Sequence, residues 1–485
     1  MNKTERQQCA EERARLELGL APDAPFSAEE TSVALKYAII GKNGHAAPLG
    51  AEQFNALCTE WDWSSTTDGD SVLYALEHCP DYGRRLGEIV IEARMSQRLA
   101  PELCIAPRPL ADTQLRALLP ATHNHAVLFA AAPLFTHEFY PLAVDAFSCD
   151  SARQGRAFFN VLGVHIDWID SAGRARRVIA LDMEHNQLIE MPLQHPLPIN
   201  SVHFLCLGAD ERALHQQWST RFSVPQINPA ATATLSDDKG ATTKAWSDMG
   251  LETPSFIRVG PRDTRPAARF MDTYGEVVIK PNSASEGRGV AYLQNPADFA
   301  AYWHTTDPAQ NTLLQARRDR VFFKDPQTQA VHTLALRLNV GSDGAHRRVD
   351  SGYAQLGANT HSPASRGHDG AIIALSALQN DLVYQQGDQW QSLRLDINFW
   401  RETFIRAERG AALFADLLLV GIDLVVDIDV NGQVSALLIE ANPRPAGLCH
   451  ARLLCDGRGA DQAGVGETMW MGLRSQLEQP TARAV

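Results

Sequence analysis

Apolar and polar positions change texture twice along the chain. Up to about residue 120 the apolar positions recur at helical spacing. Ser27-Ala-Glu-Glu30 sets a serine and a glutamate three apart just ahead of Val33, Tyr37 and Ile40, a capping box that predicts a helix start, and Asp70 is placed to cap Val72, Leu73 and Leu76. From about 121 short apolar runs take over. His125 to Phe135 is one; Val164 to Ile169 and Val178 to Asp182 flank a turn at Asp170-Ser-Ala-Gly-Arg174; Ser201 to Gly208 reads as a buried strand ending at glycine. The pattern predicts an α/β layer over 121–228.

The second change comes after residue 228. Leu235-Ser-Asp-Asp-Lys239-Gly-Ala-Thr-Thr-Lys244 opens a predicted helix that runs through Trp246 and closes at Gly250. A lysine in the first turn opposes the helix dipole, so Lys239 is out of place unless an anion lies beside it; a surface lysine is the plainer alternative. Glu276-Val-Val-Ile-Lys280-Pro281 is a β-branched strand ending in a lysine. The small-residue stretch behind it, Asn282 to Val290, contains Ser283, Ser285, Gly287 and Gly289 and has the composition of a loop whose amides approach phosphate; a simple glycine hairpin is the alternative.

The most informative alternation is Gly421 to Pro445. Asn431-Gly432 between two alternating runs predicts a hairpin centred on those two residues. Asp423 then faces Glu440 across the strands, and Asn442 follows on the same face. Opposed carboxylates repel unless a cation lies between them, and an all-oxygen set suits magnesium completed by phosphate. Asp427 and Asp429 fit the solvent side of the hairpin better. Arg444, between two prolines, is placed for a phosphate or acyl-phosphate oxygen.

Composition narrows the picture. The 485 residues suggest two to four domains, and a net charge of −13 disfavours nucleic acid and anionic membrane while leaving small anionic ligands open. Eight scattered cysteines without a CxxC pair predict reduced thiols. The charged start of the chain is unlike a secretory signal, and the longest apolar segment, Ala411 to Val426, is interrupted by Asp416 and Asp423; a soluble, cytoplasmic protein is expected. His123-x-His125 and His137-Glu138 lack HExxH spacing and are read as ordinary hydrogen-bonded side chains rather than metal ligands.

In order and separation, Asp238-Lys239, Val278-Ile-Lys280-Pro281 with its loop, and Asp423 through Glu440-Ala-Asn442-Pro-Arg444-Pro resemble the ATP-grasp superfamily, and within it the carboxylate–amine ligases. The resemblance covers about residues 200–460. It implies an α+β ATP-grasp fold, two subdomains clamping ATP at 229–312 and 313–475, preceded by a pre-ATP-grasp α/β domain at 121–228 and a helical region at 1–120. It also implies Lys239, Lys280, Ser283, Ser285, Gly287, Gly289 and Gln315 on the nucleotide; Asp423, Glu440 and Asn442 on two magnesium ions, with manganese an acceptable substitute; and Arg337 and Arg444 at the reacting phosphoryl or acyl phosphate. Asn359, Arg366 and His450 are the substrate candidates. Asp319 is the ribose candidate, because the acidic residue usual after Gln315 is replaced by Ala316. The implied reaction activates a small-molecule carboxylate as an acyl phosphate and joins it to an amine with release of ADP. A thiol acceptor, or a kinase-like nucleotide-binding protein on the same scaffold, are the competing readings. No nucleic acid or membrane partner is expected, and the N-terminal helical faces are compatible with a homodimer.

Overall fold

The computed structural model describes residues 103–478, apart from 107, 131–134, 155–156, 206, 208–210, 284–286, 308–310, 366–369 and 456–457. The helix signals at Ser27 and Asp70, and most of the expected helical region, therefore lie outside the described residues. The chain divides into two compact units: one reaches Ile227 and takes in Ala446–Cys449, the other holds Asn228–Pro445 and His450 onward.

The first unit carries a seven-stranded sheet in the order β1-β5-β4-β3-β2-β6-β7: β1 Leu103–Ile105, β2 His123–Phe129, β3 Phe159–His165, β4 Arg174–Asp182, β5 Gln187–Pro198, β6 Ser201–Phe204 and β7 Gln226–Ile227. The sheet thus begins ahead of the expected boundary at 121. Strands β2, β3 and β6 pair in parallel and are buried on both faces, which is why their sequences are apolar runs rather than alternations. At the expected turn, Asp170 accepts from the amides of Ala172 and Arg174, both at 2.9 Å, and Gly173 supplies the positive φ of +73°.

The histidines of this unit are part of its packing. His125 Nδ1 lies 2.8 Å from Ser201 Oγ, His123 stacks on Phe158, and Glu138 accepts from the amides of Gly447 and Leu448 at 2.8 and 2.6 Å. His203 is buried, with neither ring nitrogen hydrogen-bonded among the described residues. Burial, helped by the neighbouring His215, pushes its pKa down to about 3. Unfolded, the same histidine binds a proton near pH 6.5, so stability is fully present above that value and drains as pH falls toward 3, at about 1.4 kcal/mol per unit. Thermal melts from pH 7.5 to 4.5 are expected to show this loss, and His203→Leu to flatten the slope; an unchanged slope contradicts the assignment.

The second unit contains two sheets. The small one has the antiparallel order β10-β9-β11-β8, with β8 Phe256–Val259, β9 Val277–Pro281, β10 Ala291–Leu293 and β11 Thr312–Ala316. Helices α6 Thr264–Tyr274 and α7 Pro296–Tyr302 give it a core of Ala267, Phe270, Met271, Val277, Ile279 and Phe299. Strand β11 carries this lobe past the expected boundary at 312, to Ala316.

The large sheet is built around β13 Val331–Ser342, which pairs antiparallel with β12 Val321–Lys324, β14 Arg347–Leu356 and β18 Leu419–Ile428; β18 then pairs with β19 Val434–Asn442. Three of the described helices lie on it, among them the one over Glu467–Glu478. In α5, Lys239–Asp248, the Trp246 side chain is fully buried and donates from Nε1 to the Gly410 carbonyl at 2.9 Å; α8, Ile397–Ala411, buries Phe399, Ala407 and Ala411. Asp396 caps α8 by accepting from the Phe399 amide at 2.8 Å.

The β18–β19 hairpin departs from the expected geometry in two places. Near its tip the pairing runs Ile428↔Val434 and Asp427↔Ser435, one residue away from a turn centred on Asn431 and Gly432. The loop is three residues long, Val430 to Gly432, because Asp429 Oδ1 accepts from the amides of Asn431 and Gln433, both at 2.8 Å, and Gly432 takes φ +79°. Further along, the register shifts between Asp423 and Leu424, leaving Ile439 as an extra residue in β19. This bulge cancels the offset from the turn. Asp423 does pair with Glu440, and Gly421 with Asn442, but by two compensating irregularities and not by a regular hairpin.

Candidate functional site

The elements of the second unit converge on one cleft. Asp238 is the N-cap of α5, its carboxylate accepting from the Ala241 amide at 2.8 Å, and Asn282 Oδ1 accepts from the Gly240 amide at 2.9 Å. The start of α5 is thereby pinned to the end of β9. Lys239 is buried, and its Nζ lies 3.1 Å from Glu440 Oε1, which is the anion its first-turn position called for.

Lys280, at the end of β9, is buried with Nζ 3.4 Å from the carbonyl oxygen of Ile439, the bulge residue. The bulge therefore does two jobs: it restores the Asp423–Glu440 pair and turns a carbonyl toward a lysine of the opposite lobe. Burial pushes the Lys280 ammonium down to about 8, against the pull of Glu440. Burial also opposes ionisation of Glu440, but Lys239 and Lys280 outweigh it and hold that carboxyl below its ordinary range.

Across the hairpin the balance is reversed. Asp423 is buried, which raises its pKa, and Arg337 from β13 opposes the rise with a two-pronged ion pair, Nη2 to Oδ2 at 2.8 Å and Nε to Oδ1. Burial of Arg337 is more than offset by that carboxylate, so its guanidinium is held above the ordinary value. The side chain fits because Gly421 lies beside it: a Cβ there would stand 3.0 Å from Arg337 Cδ. Asn442 Nδ2 completes the group, 3.2 Å from Asp423 Oδ2.

A cavity of about 160 Å³ lies here, lined by Lys280, Gly287, Gln315, Arg337, Asp423, Glu440 and Asn442. Gln315 on β11 is buried, and its Nε2 has no hydrogen-bond partner among the described residues, so a donor faces this space unsatisfied. Gly287 and Gly289 both adopt φ +71°, which explains their glycines.

Other candidates lie elsewhere. Ser283 is exposed and Gly289 does not line the cavity. Arg444 donates to Asp237 Oδ1 at 2.7 Å, outside the cavity lining. Asn359 is exposed and closes its own turn by accepting from the His361 amide at 2.8 Å, and His450 is buried edge-on to Tyr353. Ser285 and Arg366 lie outside the described residues. Asp319 borders the cavity and accepts from Tyr292 at 2.6 Å and Arg317 at 2.8 Å, one hydrogen bond on each oxygen.

Three contributors escaped the sequence reading. Asp427 is fully buried, not on the solvent side of the hairpin, because Arg318 and Arg320 both bond to it, Arg320 at 2.7 and 2.8 Å. Its even spacing from Asp423 and Val425 along β18 was the available signal, since those residues face the cavity. Arg318 itself borders the cavity. Asn228 ties the strand ends together, donating to the Pro443 carbonyl at 2.6 Å and accepting from the Leu418 amide at 2.9 Å, a role with no local sequence signature.

No family model matches the chain, and no curated protein matches it in sequence. Among solved structures it is similar to D-cycloserine synthetase DcsG, at 18% identity and a TM-score of 0.41 over 73% of this chain and 100% of that one. It is also similar to D-alanyl-alanine synthetase A from Vibrio cholerae O1 biovar eltor, at 10% identity and a TM-score of 0.43 over 74% and 99% of the two chains. A third is the ATP-grasp ligase PsnB complexed with a phosphomimetic variant of its minimal precursor, Mg and ADP, at 12% identity and a TM-score of 0.40 over 74% and 100%. Two α+β lobes, one presenting a strand-end lysine and the other a carboxylate-bearing hairpin, face a shared cleft. Among the described residues no helix is long and apolar enough to cross a membrane.

Proposed function

We propose that this chain is an ATP-dependent, ADP-forming ligase that activates a carboxylic acid as an acyl phosphate and joins it to an amine. The observation that carries this reading is the convergence of Lys280 and Arg337 with Asp423, Glu440 and Asn442 around one cleft, with Lys239 outside its lining and paired to Glu440. Three cations against two carboxylates leave a net positive charge for an anionic ligand to meet, and phosphoryl transfer needs positioning and charge stabilisation rather than a protein nucleophile.

Lys280 holds phosphate oxygens from the small-lobe side, under the loop that contains Gly287, and Lys239 from the start of α5. Gln315, with its unsatisfied amide, meets the base; a glutamine amide matches the adjacent donor and acceptor of adenine. Arg337 neutralises charge on the transferred phosphoryl group. The donor set Asp423, Glu440 and Asn442 is all oxygen, as magnesium requires, and these residues would hold the metal, which supplies Lewis-acid charge neutralisation between phosphate oxygens.

The test is a pairwise screen of amino and other carboxylic acids against amines, scoring ADP release and product mass. Release of ADP and phosphate that depends on both substrates is expected. AMP and pyrophosphate as products, or no nucleotide hydrolysis with any acid, overturn the proposal.

A further inference from the structure

The carboxylates assigned to the metal are already engaged by protein cations. Arg337 covers both oxygens of Asp423, and Lys239 lies 3.1 Å from Glu440 Oε1. Lys280, on the neighbouring Ile439 carbonyl, adds a third positive group. Three cations against two carboxylates leave the cluster with one positive charge before any ligand arrives. A divalent cation placed on the same oxygens meets that charge at close range, with little solvent screening.

We infer that Lys239 and Arg337 act as exchangeable counterions that hold the carboxylates closed to a metal ion until a polyphosphate takes the two cations over. The inference rests on the ligase reading for the identity of the ligand. A nucleoside triphosphate brings about four negative charges, enough to receive both side chains and release Asp423 and Glu440 to the metal. Metal and nucleotide then bind with positive coupling, each raising the affinity for the other. Lys239 and Arg337 thus serve as positioning residues for the order of assembly, besides contacting phosphate.

The coupling is read by titrating the intact protein with Mn²⁺ alone, with bound metal followed by electron paramagnetic resonance. Arg337→Met and Lys239→Met, which keep apolar bulk and remove the charge, are each expected to bind Mn²⁺ without nucleotide about tenfold or more tighter than the wild type. Equal or weaker Mn²⁺ affinity in the variants overturns the inference. Circular dichroism checks folding, and if loss of Arg337 unfolds the chain the Lys239 variant decides, because Glu440 is partly exposed. A separate titration of the wild type with a non-hydrolysable ATP analogue and Mg²⁺ tests the ligase reading: binding there with no gain in the variants sinks only the counterion exchange.

Discussion

Glu440→Gln is expected to lower substrate-dependent ADP release by at least about 10²-fold, equivalent to roughly 2.7 kcal/mol of transition-state stabilisation. The substitution keeps the size of the side chain and one acceptor oxygen but removes the negative charge. That charge is what sets Lys239 at 3.1 Å and faces Asp423 across the hairpin. Without it Lys239 and Lys280 repel each other uncompensated, and the oxygen set assigned to the metal loses half of its carboxylate charge. Glu440 is partly exposed, so the fold should survive, and the thermal transition should move little. Asp388→Asn, at an exposed turn outside the cavity lining, is the matched control and should leave turnover unchanged. Near-normal ADP release in Glu440→Gln would falsify the assignment of this residue.

The second large effect concerns stability. Asp427 is fully buried and shared by two arginines whose own side chains are partly exposed. Replacing both Arg318 and Arg320 with alanine strands a buried carboxylate, at a cost of about 3–5 kcal/mol. Either single replacement leaves one guanidinium in place and is expected to cost clearly less than half as much, so the pair should be strongly non-additive. Urea unfolding of the two single variants and the double variant forms the cycle. Additive losses would show that the arginines act independently of Asp427. Because Arg318 also borders the cavity, the double variant should bind nucleotide more weakly even where it is folded.

The candidate site was partly legible before folding. Lys280 could be recognised because a β-branched strand ending in lysine and followed by small residues is an uncommon local pattern. Asp423 and Glu440 were paired by a register argument that reached the right partners through a regular turn the chain does not make. The three-residue loop depends on Asp429 gathering two amides, and the bulge at Ile439 shifts the register between Asp423 and Leu424. Neither is encoded in alternation alone. Asp427 shows the opposite failure: a charged residue near a turn reads as solvated, and only two arginines more than a hundred positions away make its burial tolerable. Asn359 and His450 are substrate candidates by resemblance alone, and in the structure Asn359 closes a local turn while His450 packs on Tyr353.

By itself the sequence determined the helix that opens at Lys239, the strand that ends at Lys280 and the existence of the hairpin that carries Asp423 and Glu440, together with the charged residue types those elements bring. Those properties follow from local periodicity, capping and turn chemistry, which act over a few residues. Tertiary structure decided the partners. That Lys239 meets Glu440, that Arg337 covers Asp423 and that Gln315 faces a cavity are contacts between residues up to about two hundred positions apart. They are set by how the two lobes pack, since hydrophobic burial specifies a core but carries no local signal for the polar groups it brings together.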